Sequence, residues 1–403
     1  MATDLQIIID DNSGAFSYSW SGGSNSSSPW VLSQLTEWYH ATSWYISSTT
    51  QTGTLVFVFH GMPNPSPFFG CLNDSLGTSA TFIGNTPTSY FPQTATVQID
   101  NGTAFGINYD DPNPPTYKQW FTTPTLSDGR HTVTISKLRT AIDYAVVNVG
   151  NNTSLTGQTV VVDDDSSLIQ YSGQWYRNTN QFIPGNLPVG YPYRNVTHRS
   201  SNPGDSFTFQ FSGTSVSIYG IFSWFNLGSL TATYTVDGMP YNSTISVTTS
   251  SPSYLNKDGE MSNYLYFSLD NLSAGNHKLV VNVTQADNQT FILDYISYKP
   301  SFNSLATMPN ITGTSTSSTS RAVSSATSQG TAVATVSSSG SQQPVSTGTI
   351  VGASIGALAF GILLTALVVY LVLRRRKTPE WNRYSDSMLV FSSNHFPSIN
   401  SPL

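Results

Sequence analysis

Two short acidic runs carry the residue types most suited to ligand chemistry. Asp10-Asp11-Asn12 and Asp163-Asp164-Asp165 each follow an apolar triplet, Ile7-Ile8-Ile9 and Val160-Val161-Val162. Hard cations such as Ca²⁺ take about six to eight oxygen ligands, and neighbouring Asp and Asn on an irregular turn supply several. Asp10, Asp11, Asp163, Asp164 and Asp165 are therefore candidate Ca²⁺ ligands; the alternative is that they end a strand and make Asx turns. Asp143-Tyr144 and Asp294-Tyr295 place a carboxylate inside an apolar stretch, where it needs hydrogen-bond or cationic partners, and a tie to the opening turn would provide them. Trp44, Trp120, Trp175 and Trp224 are candidate sugar platforms, because an indole face stacks on the apolar face of a sugar ring. A β-sandwich core also needs aromatic rings, so each has a packing role as its alternative.

Catalysis has little to stand on. Glycoside hydrolysis needs two positioned carboxylates, and residues 1–300 hold only two glutamates, Glu37 and Glu260, with aspartates mostly at turn positions. The one G-x-S-x-G string, Gly352 to Gly356, opens an apolar run rather than the strand–turn–helix that a nucleophile elbow requires. The six histidines, at 40, 60, 131, 198, 277 and 395, lack metal-ligand spacing. His131 and His277 occupy matching positions just before strands, which points to packing or a turn. Cys71 is the only cysteine, so neither an intramolecular disulfide nor a cysteine-based zinc site forms. A non-enzymatic role is expected.

The elements that must position these residues are strands. The 403-residue chain is 9% charged and 12% aromatic, which excludes charge-rich disorder and coiled coils. Residues 1–300 read as period-two runs, such as Thr54–Phe59, Ser206–Phe211, Ser215–Tyr219, Leu230–Val236 and Lys278–Val283. Turn signals such as Asp100-Asn101-Gly102 and Asp237-Gly238 divide them. The fold class is all-β. The region also repeats: Thr94–Asp100 matches Thr231–Asp237, Leu126–His131 matches Leu272–His277, and the two acidic openings match one another, as do the two Asp-Tyr closings. Two tandem sandwiches of about eight strands each follow, over residues 1–152 and 158–300. The first copy carries extra loop around Met62–Tyr90 and the second around Asn242–Asn263.

Residues 301–349 hold 24 Ser or Thr in 49 positions and predict a disordered stalk, O-glycosylated or an unmodified linker. Residues 350–373 run 24 positions without a charge, about 36 Å as a helix, enough to cross a bilayer. Arg374, Arg375, Arg376 and Lys377 follow, so residues 374–403 form a short cytoplasmic tail and the N-terminal part faces outward. Sequons at Asn25, Asn73, Asn101, Asn151, Asn152, Asn195, Asn242, Asn271, Asn282, Asn288 and Asn310 all precede the span and agree with a plasma-membrane glycoprotein. No signal peptide is visible at Met1. Gly352 and Gly356, four apart, would let two spans approach as a homodimer, though Gly-rich spans need not pair. Residues 1–373 balance 11 basic against 20 acidic groups. That charge excludes nucleic acid as a partner.

Val161–Trp175, Gly204–Gly220 and Tyr234–Gly238 resemble fungal, mushroom-type single-pass surface proteins with tandem galactose-binding-like jelly rolls, a Ser/Thr-rich stalk and a basic stop. The resemblance covers about residues 5–377 and is closer in the second copy. It implies a β-sandwich of carbohydrate-binding type and raises the prospect of a structural Ca²⁺. The expected role is glycan binding at the cell surface without catalysis. The alternatives are a cell-wall sensor or adhesion protein without a defined sugar pocket, and an unrecognised carbohydrate-active enzyme.

Overall fold

The computed structural model describes residues 5–21, 27–59, 77–151, 153–185 and 187–311. The expectations for most of the stalk, the span and the tail, with Gly352 and Gly356, fall outside the described residues, as do those for Asn25, Asn73 and Asn152. Among the described residues no helix is long and apolar enough to cross a membrane.

The first copy contributes β1 (Gln6–Asp10), β2 (Phe16–Trp20), β3 (Trp30–Ser33), β4 (Ser43–Ile46), β5 (Gly53–Phe59) and β6 (Ser79–Asn85). It continues through β7 (Thr94–Ile99), β8 (Phe105–Asn108), β9 (Tyr117–Thr122), β10 (His131–Leu138), β11 (Ala141–Ile142) and β12 (Tyr144–Asn148). The second contributes β13 (Val160–Asp163), β14 (Ile169–Ser172), β15 (Tyr176–Asn178), β16 (Thr197–Ser200) and β17 (Ser206–Ser223). It closes with β18 (Gly228–Val236), β19 (Met239–Val247), β20 (Glu260–Leu269), β21 (Gly275–Asp287) and β22 (Phe291–Pro300). The chain is all-β, as its alternation requires. Each copy has more strands than the eight expected, because short side strands add to the two layers.

In the first copy a five-stranded sheet, β2-β5-β10-β7-β8, faces β1-β12-β6-β9. Phe57 of β5 meets Phe82 of β6 edge-on at 5.3 Å across the gap. In the second copy β14, the first half of β17, β21, β18 and β19 make the matching outer layer. β13, β22, the second half of β17 and β20 make the inner one. Ser206–Phe211 and Ser215–Tyr219, which read as separate runs, are thus one strand that passes from layer to layer. In the first copy the same path is divided between β5 and β6. Ser79–Asn85, inside the expected extra loop, is therefore a central strand, and Ala80, Phe82 and Ile83 are its buried residues. Likewise β19 and β20 occupy both ends of the Asn242–Asn263 segment.

The copies join edge to edge. β1 pairs antiparallel with β13, Gln6 opposite Val161 and Ile7 opposite Val160, so one sheet runs through both sandwiches. Its strands are buried on both faces, which explains the unbroken apolar triplets where the outer strands alternate. One face of this sheet packs into the two sandwich interiors. The other carries a second core, with Ile8, Tyr144 and Val146 from the first copy and Val161, Tyr219 and Tyr295 from the second. The chain segments around Trp38-Tyr39 and Phe182–Tyr193 roof it.

Candidate functional site

The acidic openings are structural ties repeated almost residue for residue. Asp11 N–H donates to the Asp143 carbonyl and Asp164 N–H to that of Asp294, both at 3.1 Å. The Tyr18 hydroxyl donates to the Asp11 carbonyl at 2.9 Å and that of Tyr171 to the Asp164 carbonyl at 2.8 Å. Tyr39 N–H donates to the Asp143 carboxylate at 2.8 Å, and Tyr193 N–H bonds Asp294 in the same way. The closing aspartates thus tether the opening turn through their main-chain carbonyls and the roof over the second core through their carboxylates.

The two clusters differ in counter-charge. In the second copy His198 meets Asp164 at 2.6 Å, Arg177 meets Asp165 at 3.0 Å and Arg194 lies 3.9 Å from Asp163. In the first, the Thr42 hydroxyl meets Asp11 at 2.7 Å and Asp10 at 3.5 Å, and exposed His40 lies 4.0 Å from Asp10. Trp44 stands where His198 does: each pairs with the residue before the closing aspartate, and each stacks on the equivalent tyrosine of its copy, Tyr18 or Tyr171. Burial pushes the Asp11 carboxyl up to about 7. Burial, reinforced by the Asp164 charge, pushes Asp163 up to about 8. Burial also raises Asp143 and Asp294 well above the ordinary carboxylate range. These residues do not fit a Ca²⁺ cage. Arginine and histidine already face the second-copy carboxylates, and among the described residues no group of three or more His, Cys, Asp or Glu could hold a metal ion.

The four tryptophans are not brought together. Trp120 is 4% exposed and packs on Phe82 and Tyr109 inside the first sandwich, so it offers no face to a sugar. Trp44, Trp175 and Trp224 are half-buried against Tyr18, Phe207 and Phe222 respectively. The counterpart of Trp175 is Trp30, which opens β3 and packs on Tyr18 as Trp175 packs on Tyr171. His131 and His277 pin hairpin turns, through Asp100 at 2.5 Å and Asp237 at 2.6 Å, where Asp100, Asn101, Asp237 and Gly238 all have positive φ. The sequon residues Asn101, Asn151, Asn195, Asn242, Asn271, Asn282, Asn288 and Asn310 are all exposed.

What the structure does assemble on the seam between the copies is a shallow recess of about 10 Å³, the room of about one water. The first copy supplies Glu37, Trp38, Asn85 and Tyr117; the second supplies Phe182, Pro184, Leu187, Pro188 and Ser262. Main-chain bonds close the two halves on each other. Tyr117 N–H donates to the Val189 carbonyl at 3.0 Å and Tyr191 N–H to that of Tyr117 at 2.9 Å. Ser262 Oγ and Asn263 Nδ2 both donate to the Glu37 carbonyl, at 3.1 and 3.0 Å. Beneath, the Tyr117 hydroxyl donates to Asp143 at 2.6 Å, and the Tyr295 hydroxyl donates to Asn263 Oδ1 at 3.0 Å. Burial raises the Glu37 carboxyl, and the nearby Asp258 charge adds to the effect. Asn85 Oδ1 is buried without a donor. No sequence pattern marks these residues, because they lie up to 225 positions apart and meet only through the β1–β13 edge.

No protein-family model and no curated protein sequence matches the chain. Among solved structures it is similar to a two-domain esterase active on acetylated mannans, co-crystallised with mannopentaose. That match has 17% identity over 39% of each chain and a TM-score of 0.25. A Paenibacillus xanthan lyase matches with 12% identity over 68% of this chain and 25% of its own, TM-score 0.24. The CBM36-1 domain of a multidomain xylanase from the hindgut metagenome of Trinervitermes trinervoides matches with 14% identity over 34% of this chain and 94% of its own, TM-score 0.21. The chain spans well under half the length of the esterase and of the lyase.

Proposed function

We propose that this chain is a single-pass surface protein whose fused pair of β-sandwiches, of jelly-roll type, binds glycans without catalysis. The observation that carries the reading is a set of partly exposed rings in the second copy. Trp175 and Trp224 are half-buried, Tyr176 and Phe225 beside them in sequence are exposed, and Arg177, paired with Asp165 at 3.0 Å, follows the first pair. Sugars are recognised by that combination, an apolar ring face on an aromatic one with hydroxyls directed to a few fixed polar atoms. The uncharged run of residues 350–373 and the arginines behind it would anchor the module, with the sequons facing outward.

A glycan array probed with the detergent-solubilised full chain tests this. Sugar-selective signal is expected, and Tyr176→Ala, at an exposed ring, should weaken it while leaving the circular dichroism unchanged. A chain that binds no glycan would shift the reading to a wall sensor without a pocket, and release of reducing ends from a polysaccharide would make it an enzyme. Enzymatic deglycosylation of the chain from native membranes should increase gel mobility; an unshifted band would sink the outward orientation.

A further inference from the structure

The outer layer of the second copy ends in β19, a long strand without charge. It pairs with β18 from Val247 to Met239 without a bulge, and among the described residues nothing pairs with its other side. Asp237 and Gly238, both at positive φ, make a two-residue turn, so Val236 and Met239 are the hydrogen-bonded pair that closes it. Pairs alternate from there, and Pro240, Asn242, Thr244 and Ser246 turn their main chain away from β18. Pro240 has no N–H to offer; the other three offer both groups. Such an edge is a template for a second strand, and proteins blunt it with charge, bulges, short length or proline. In the first copy the matching edge, β8, is four residues long and leads into Asp110, Asp111 and Pro112. β19 has nine residues, exposed Met239 and Tyr241, and only Pro240 near its start against pairing.

What β19 has instead is a sequon, Asn242-Ser243-Thr244. Tyr234 and Tyr241, the neighbouring cross-strand pair, lie against Phe267 of the other layer, so Asn242 stands exposed on the outer face. Its Oδ1 accepts from the Thr233 hydroxyl on β18 at 2.6 Å, which leaves Nδ2, the atom that carries an N-linked sugar, toward the open edge. In the sequon at Asn288, by contrast, Nδ2 donates to the Leu227 carbonyl at 2.9 Å. We propose that Asn242 carries an N-linked glycan that keeps β19 from pairing with β19 of a second copy of this chain. This rests on the outward orientation and adds to it a site and a role. Attachment joins Nδ2 to the anomeric carbon of a lipid-linked oligosaccharide diphosphate: the C1–Nδ2 bond forms and the C1–O bond to the diphosphate breaks. The lipid diphosphate leaves with the one proton that Nδ2 gives up. Two β19 strands meeting antiparallel about a two-fold axis would fuse their outer layers, and a bulky, hydrated glycan at each Asn242 stands on that junction.

The full chain, made in a eukaryotic secretory host and solubilised in detergent, provides the test. Glycopeptide mass spectrometry should find sugar on Asn242, and light scattering gives the protein mass of the particle. Asn242→Gln and Thr244→Val each remove the sequon and should about double the wild-type mass, with circular dichroism unchanged. Thr244→Lys also removes the sugar but sets a charge on the edge, and should keep the wild-type mass. Thr244→Ser keeps the sequon and the mass. Asn282→Gln removes a sequon from the same cross-strand row, on β21 beyond Thr233, and should leave the mass alone. Residues 350–373 are common to every variant, so a difference in mass belongs to β19. Sugar at other sequons with Asn242 bare would overturn the proposal and leave the orientation standing. Sugar at none would overturn the orientation and the proposal with it. An unchanged mass in Thr244→Val, or an equal gain in Thr244→Lys or Asn282→Gln, would overturn the guarding role.

Discussion

Four aspartates, Asp11, Asp143, Asp164 and Asp294, are almost wholly removed from water. A carboxyl whose proton is held more tightly in the folded state than in the unfolded chain adds stability that is full below the ordinary carboxylate pKa. That stability is lost as pH rises through the raised value. With Asp11 at about 7 and Asp163 at about 8, the melting temperature should fall between pH 5 and pH 8.5. Thermal scans by circular dichroism check this, and a melting temperature that rises over the interval would contradict it. Asp11→Asn should flatten the first part of the decline. Trp120→Ala should cost about 3–5 kcal/mol in denaturant unfolding, as for other buried aromatics cut to alanine, and leave ligand affinity alone. Trp120→Ala and Tyr176→Ala separate a ring that packs from a ring that solvent reaches.

Strands in this protein declare their burial by their pattern. β5 alternates buried and half-buried residues because one face packs and the other is wet, whereas β22 is buried at eight successive positions because both faces are covered. The long strand β17 changes layer near Gly213, and neighbouring main chain comes close there and at Gly220 in its inner half. A Cβ at Gly220 would stand 1.8 Å from the Ile292 carbonyl, and one at Gly84, its partner in the first copy, 2.0 Å from that of Ala141. Each Gly→Ala change should therefore destabilise by about 1–3 kcal/mol, since main chain must move to admit the methyl. Urea unfolding measures it, and a neutral result at both sites would mean that the inner sheet is more plastic than its packing suggests.

At the scale of the molecule the two copies share a sheet and a second core, so neither sandwich keeps its inner strands covered alone. Calorimetry should show one unfolding transition for the pair. Two well-separated transitions would mean that β1 and β13 do not tie the copies together. The all-β class, the tandem repeat and the hairpins at Asp100-Asn101-Gly102 and Asp237-Gly238 were legible in the sequence, whereas the carboxylates of Asp143 and Asp294 found their partners in the roof and not in the opening turn. Each legible feature depends on residues within a strand or a turn, or on a pattern that recurs along the chain. The recess was not legible. Glu37 and Trp38 sit beside Ser262 only because two strand edges, about 150 positions apart, happen to be free to pair. Nor does composition say which way a tryptophan faces: Trp120 turned inward and Trp44 took the place of a histidine. Local periodicity determines what a strand is, and the long-range pairing of strands, decided by the sum of many buried contacts, determines what it meets.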